Sequence, residues 1–269
     1  MELNKLFSVD GLTVLITGGS KGIGKMMAEG FVRNGAKVYI SARDKATCDE
    51  TAKELNAIGP GQCIPIPEDL STTAGCKRLV AALQQRESKL DVLINNSATG
   101  WIGGIHAHDE EIWTRVMHLN LASPFLLTKF LLPLLKTDAR VINIGSISGV
   151  VPNKLGTTAY DASKAALHHL TKALAAELAP LRITVNSLSP GLVPTTMSDQ
   201  LVVATGKQFD EMAAQDIPLR RPGLPTDMAG AAIFLASPAS AWITGGILVV
   251  DGGQVNAITS GGALQHAKL

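Results

Sequence analysis

Apolar residues in this chain fall into short unbroken runs, separated by longer segments in which they recur every three or four positions. The runs at 13–18 (TVLITG), 37–42 (KVYISA), 91–96 (DVLINN), 140–146 (RVINIGS), 182–190 (RITVNSLSP) and 246–253 (GILVVDGG) are rich in Val and Ile. A strand that is apolar on both of its alternating faces is buried on both sides, as in a parallel sheet. The periodic segments at 22–34, 44–57, 73–88, 109–119, 121–136, 160–179 and 226–237 predict helices. Strand and helix alternate, which predicts an α/β fold: a doubly wound parallel sheet with helices on both faces and right-handed crossovers.

No linker, low-complexity tract or repeat divides the pattern, so residues 1–269 are expected to form a single domain. Residues 192–221, between the fifth and sixth predicted strands, lack a confident element. Open α/β sheets bind ligands beyond the carboxyl ends of their strands, so this stretch is expected to be a substrate lid. Residues 255–269 read as a C-terminal tail.

Composition narrows the classes. The 269 residues are 46% hydrophobic and 17% charged, with 26 glycines, which suits a buried sheet better than a disordered chain. Twenty-four basic against 23 acidic residues, net +1 and without a basic block, argue against a nucleic-acid partner. The apolar stretch 121–135 is too short to span a bilayer and contains Pro124, Lys129 and Pro133, so no membrane partner is expected. Cys48, Cys63 and Cys76 are widely spaced and odd in number, pointing to a reducing compartment. The start, MELNKLFSVDG, shows no secretory h-region. The final Ala267-Lys268-Leu269 is a near relative of the S-K-L peroxisomal address, so the cytoplasm and the peroxisome are the expected locations.

Chemistry enters with TVLITGGSKGIGKMMAEGF, where Gly18, Gly22 and Gly24 follow the first strand and open a helix, with Ser20, Lys21 and Ile23 between them. Glycine lets a pyrophosphate approach the backbone, and a helix N-terminus supplies N–H donors and a positive dipole end. In this strand–turn–helix setting the glycines indicate a dinucleotide site of Rossmann type. An acidic residue ending the second strand would bind a ribose 2′-hydroxyl and repel a 2′-phosphate. That strand ends Ser41-Ala42-Arg43, and Lys21 adds a second cation, which favours NADP over NAD. Asp44 is read as a charge at the start of the next helix.

The segment TTAYDASKAAL holds one of only two tyrosines. Tyr160 and Lys164 are four apart on a predicted helix and share a face. A phenol is protonated at neutral pH and can donate to a carbonyl oxygen, and a nearby ammonium is expected to pull its pKa down. A serine near that carbonyl would stabilise developing charge, and GSISG offers Ser146 and Ser148.

The spacing T-G-x-x-x-G-x-G resembles that of the short-chain dehydrogenase/reductase family, and the resemblance extends over nearly the whole chain. It implies roles for Asp69 and Leu70 beside the adenine, for Asn95 of NNSA at the adenosine ribose, and for Asn120 holding a water in a proton relay. Ser146 is preferred to Ser148 as the catalytic serine because it directly ends the strand; the usual serine-to-tyrosine spacing falls between the two. Tyr160 and Lys164 would also bind the cofactor, and Pro190, Gly191, Val193 and Thr195 would meet the nicotinamide. Within the family, the pattern is most similar to 3-oxoacyl-type and polyketide-tailoring reductases.

The resemblance implies NADPH-dependent reduction of a ketone on a small to medium apolar metabolite, with Asn120, Ser146, Tyr160 and Lys164 catalytic. Alcohol oxidation with the same residues and a non-catalytic NADP-binding redox sensor are the alternatives. The family usually forms homodimers or homotetramers. No metal is expected: His106 and His108 lack partner ligands and are assigned to a solvated loop. His168 and His169 are expected to face a neighbouring subunit or solvent.

Overall fold

The computed structural model describes residues 2–152 and 155–255. A single turn, α1 (Leu3–Leu6), precedes β1 (Thr13–Thr17), α2 (Gly22–Arg33), β2 (Lys37–Ser41), α3 (Lys45–Asn56), β3 (Gln62–Pro65), α4 (Thr73–Gln84) and β4 (Leu90–Asn95). Then come α5 (Glu110–Met117), α6 (Ser123–Leu131), β5 (Leu135–Ile144), α7 (Thr158–Leu178), β6 (Thr184–Pro190), α8 (Asp199–Thr205), α9 (Phe209–Asp216), α10 (Pro225–Ala236) and β7 (Ile247–Val250).

The strands form one seven-stranded sheet in the order β3-β2-β1-β4-β5-β6-β7, parallel at every pairing. Two apolar layers cover it. Met27, Phe31 and Val32 of α2 pack with Met228, Ala232 and Leu235 of α10 on one face. Leu79 and Leu83 of α4, Leu127 and Leu131 of α6, and Leu174 and Leu178 of α7 fill the other. Tyr39, the second tyrosine, is buried in this latter layer and donates to Glu87 at 2.6 Å, which assigns it to packing.

Three elements differ from expectation. The sheet has a seventh strand, β3, on its edge; its four residues end at Pro65, and proline is tolerated there because an edge strand needs no second partner. The helix expected over 121–136 stops at Leu131, and β5 begins at Leu135, before the predicted 140. Finally, α5 does not end before α6: a π-helical turn, His118–Ala122, joins them. The 192–221 stretch contains α8 and α9. Among the described residues, no helix is long and apolar enough to cross a membrane. The tripeptide Ala267-Lys268-Leu269 lies outside the described residues.

Candidate active site

The winding of the sheet reverses between β1 and β4, which places a crevice beyond their carboxyl ends. Side chains stitch this point together. Thr17 Oγ1 accepts from the Asn96 and Ser97 N–H groups, both at 2.9 Å. The Asn96 amide donates to the Thr17 and Gly18 carbonyls at 2.9 and 3.1 Å.

Each glycine of the loop has its own reason. Gly18 has φ +64° and Gly22 φ +52°, both left-handed, and a Cβ on Gly22 would press on Thr195 at 3.2 Å. A Cβ on Gly24 would lie 2.1 Å from the Gly18 carbonyl oxygen. The loop therefore lies flat against its neighbours and leaves its outer surface to a ligand.

The helix that follows differs at its N-terminus from α3, α4 and α5. The N-termini of α3, α4 and α5 are capped by Asp44, Thr72 and Asp109, which accept from Thr47, Gly75 and Ile112 N–H. At α2 the cap position holds Lys21, without a side-chain cap. An uncapped helix N-terminus beside a flat glycine loop fits a pyrophosphate.

The adjoining corner carries two cations and two carboxylates, Lys21 and Arg43 with Asp44 and Asp69. Lys21 and Arg43 are exposed, while Ser20 is buried and its carbonyl accepts from Thr51. Asp44 is occupied as the α3 cap, and the Thr47 hydrogen bonds hold its carboxyl below the usual range. Burial works against ionisation of Asp69, but Ser71 and the charges of Arg43 and Arg78 outweigh it, so its pKa is also lowered. Leu70 is buried in the core, and Ile23 packs against the opposite layer.

Across the crevice, Gly191 N–H donates to the Val250 carbonyl at 3.0 Å and Val193 is buried. Thr195 is fixed by Ser198, whose hydroxyl accepts from Thr195 N–H at 2.7 Å and donates to the Val193 carbonyl at 2.7 Å. Pro190 ends β6. The packing of Thr195 against Gly22 brings the two walls of the crevice together.

The reactive groups stand between these walls. Ser146 lies two residues beyond the end of β5, not at the strand end expected of it, and caps the short turn Ile147–Gly149, accepting from Ser148 N–H at 3.1 Å. Its side chain also acts on the Tyr160 phenol, pulling that pKa down. Lys164, buried one turn along α7, donates to the Ile144 carbonyl at 2.7 Å, and its Nζ lies 5.6 Å from the centre of the Tyr160 ring.

The expected sign of the tyrosine shift is reversed. Burial pushes the Tyr160 phenol up, against the opposing pull of Ser146, and pushes Lys164 down to about 8. The lysine lies over the face of the ring and gives its hydrogen bond to a backbone carbonyl, so desolvation outweighs its attraction for a phenolate.

Three further residues have side-chain partners that the sequence does not show. Asn95 donates to Asn143 Oδ1 at 2.9 Å, and Asn143 donates on to Thr171 of α7. Its side chain is thus turned into the sheet, which leaves its backbone as the group available to a ribose. Asn120 sits in the π-helical turn; its amide donates to the Thr99 carbonyl and to Ser163 Oγ, while its carbonyl accepts from Thr99 N–H. The amide fastens the loop after β4 to the π-helical turn. His168 is buried, with Nε2 2.8 Å from Ser189 Oγ, so it faces neither solvent nor a subunit; His169 is exposed.

His108 is also more than a solvated residue. Its Nδ1 donates to the Gly104 carbonyl at 2.6 Å, and its Nε2 accepts from Ala159 N–H at 3.4 Å, tying the loop to the start of α7. Among the described residues, no His, Cys, Asp and Glu cluster is placed to hold a metal.

Residues 18–254 match a family model described as "Enoyl-(Acyl carrier protein) reductase". The chain belongs to the short-chain dehydrogenase/reductase family. It is an oxidoreductase of that family, 42% identical over 257 residues to the rhamnolipids biosynthesis 3-oxoacyl-[acyl-carrier-protein] reductase of Pseudomonas aeruginosa, covering 93% of this chain and 99% of that protein. It is 32% identical to the short-chain dehydrogenase/reductase PhomF of Diaporthe leptostromiformis, covering 95% of each. Among solved structures, the Pseudomonas aeruginosa RhlG/NADP active-site complex superposes with a TM-score of 0.87 at 40% identity, covering 95% of this chain and 100% of that one. The L-sorbose reductase of Gluconobacter frateurii, complexed with NADPH and L-sorbose, gives 0.87 at 27% identity, covering 94% and 100%.

Proposed function

We propose that this enzyme reduces a ketone on a small to medium apolar metabolite to a secondary alcohol, with NADPH as cofactor, in secondary metabolism. The observation that carries the reading is the buried Lys164 ammonium 5.6 Å from the Tyr160 ring, with Ser146 acting on the same phenol, in a fold whose glycine loop opens an uncapped α2. NADP is supported by Lys21 and Arg43 at the adenosine corner, with no carboxylate on the two residues that end β2 there.

The glycines, the α2 N-terminus, Arg43 and the 190–195 segment would hold the cofactor, which when bound supplies a hydride to the carbonyl carbon. Ser146 donates to the carbonyl oxygen as negative charge develops on it. Tyr160 then gives that oxygen its proton, and the electron pair of the broken O–H bond stays on the phenolate. A raised pKa keeps this proton in place at neutral pH. With its own pKa near 8, Lys164 is mostly charged at pH 7 and stabilises the phenolate that forms. Asn120 holds Thr99 and the loop that borders the pocket.

The whole chain acts as one dinucleotide-binding domain, with 192–221 as the lid over the substrate. A homodimer or homotetramer is supported by the outer face of α5, α6 and α7, where Trp113 is 42% and Phe125 39% exposed. Light scattering on the purified chain tests this, and a monomer overturns it. Peroxisomal delivery through Ala267-Lys268-Leu269 is tested by removing the three residues from an N-terminal fluorescent fusion; an unchanged diffuse pattern overturns it.

The decisive experiment measures NADPH oxidation across a panel of apolar 3-oxoesters and cyclic and aromatic ketones, with L-sorbose as a polar comparison. Turnover of apolar ketones supports the reading. Tight NADPH binding without turnover of any ketone would support the redox sensor instead.

A further inference from the structure

We propose that His168 is a positioning residue for the active site, locking the Ser146 turn to the carboxyl end of β6; this rests on the reductase reading above. His168 lies one helical turn beyond Lys164 on α7 and is only 5% exposed. Its Nε2 is 2.8 Å from Ser189 Oγ, and Ser189, fully buried, immediately precedes Pro190 on the nicotinamide wall of the crevice.

A second observation places the same ring under the other wall. A Cβ on Gly145 would lie 2.4 Å from His168 Nε2, and a Cβ on Gly149 would lie 2.8 Å from Cε1. The two glycines that bracket the serine turn therefore both rest on one imidazole. Ser146 stands between them, and its hydroxyl position depends on how this short segment lies on the ring.

The polar character of the ring matters as much as its bulk. Ser189 Oγ also lies 3.3 Å from Ser187 Oγ, so the imidazole closes a buried chain of hydroxyls. An apolar side chain of similar volume would fill the space but leave Ser189 short of a partner, which costs about 1–3 kcal/mol. Burial, the largest influence on the ring, pushes its pKa down, with the Lys164 and Lys172 charges acting in the same direction and the Gly149 backbone opposing them. The ring is accordingly held neutral beside the charged lysine.

The test uses the full chain saturated with NADPH and compares wild type with His168→Leu, His168→Gln and Ser189→Ala. The glutamine amide can reach the Nε2 position; leucine cannot hydrogen-bond. Hydrogen exchange is followed at Ser148, Gly149 and Val150, whose N–H groups bond within the turn to Ser146 Oγ, Ser146 O and Ile147 O. In His168→Leu these amides should exchange about tenfold faster, with kcat on the best ketone of the panel falling by about the same factor, while the NADPH Kd changes less than about threefold. His168→Gln should restore most of both losses. Ser189→Ala, which keeps the ring and removes its partner, should shift both readouts in the same direction and serves if His168→Leu does not fold.

Unchanged exchange of the turn in His168→Leu and Ser189→Ala overturns the proposal, as does an equal loss in His168→Gln and His168→Leu. The exchange readout needs no substrate. A panel without turnover would therefore sink the reductase reading while still deciding the role of His168.

Discussion

The Lys164 ammonium nitrogen lies 5.6 Å from the centre of the Tyr160 ring, one turn further along the same helix, and is anchored to the Ile144 carbonyl at 2.7 Å. This anchor joins the end of β5 to α7 directly beneath the reactive phenol. Burial makes the pair mutually dependent: the lysine charge is costly in this position, and the phenolate formed in reduction is what repays it.

A pH dependence follows. Lys164 loses its charge as pH rises through about 8, and with it the stabilisation of the phenolate and an attraction for the anionic cofactor. The kcat/KM for NADPH, which reports on the free enzyme, should fall on the alkaline side from about pH 8. Lys164→Arg, which stays charged, should lower the plateau and remove that limb. An identical alkaline limb in the variant would assign it to another group.

Cofactor choice should follow the corner cations. Arg43→Ala and Lys21→Ala each remove a charge that would meet a 2′-phosphate, a charge-assisted contact worth about 1.5–3 kcal/mol. The kcat/KM for NADPH should drop about tenfold or more in each, with that for NADH nearly unchanged. Equal losses with both cofactors would mean that the two side chains serve only the fold.

The glycine loop gives a sharper contrast. Gly24→Ala would drive a methyl group to 2.1 Å from the Gly18 carbonyl oxygen, so the loop must shift. NADPH affinity should fall about tenfold to a hundredfold, in line with overpacking costs of about 1–3 kcal/mol. Gly11→Ala places a methyl group in open space at φ +71°, and should lower stability by about 1–2 kcal/mol while leaving NADPH affinity alone. Isothermal titration with thermal melts checks both.

The two serines separate in the same way. Ser146→Ala removes both the hydroxyl that acts on the Tyr160 phenol and the cap on the turn, and should reduce kcat by about a hundredfold or more. Ser148→Ala, which keeps its backbone N–H bond to Ser146, should reduce kcat less than about tenfold. Reversed magnitudes would move the catalytic role to Ser148.

Much of this was legible in the chain because the carriers are local. The glycines sit at a strand–helix junction, and Tyr160 and Lys164 are four residues apart, so period and spacing suffice to place them. The edge strand β3 escaped because four residues ending in proline carry too little β signal. The extra turn at His118–Ala122 escaped because a π-bulge leaves the apolar periodicity nearly intact on either side. What sequence could not give was contact over long separations. His168 reaches Ser189, Asn95 reaches Asn143 and Asn120 reaches Thr99, each pair brought together only by the crossovers of the sheet. Desolvation also has no local signature, which is why the direction of the Tyr160 shift had to come from its burial.

The central claim is that the Tyr160 hydroxyl donates the proton in ketone reduction, and a single-turnover measurement with Tyr160→Phe tests it most directly. With NADPH prebound and a reactive ketone mixed in, the variant should bind NADPH within about threefold of wild type, yet oxidise it about a thousandfold more slowly or worse. A transient rate near that of wild type would contradict the account.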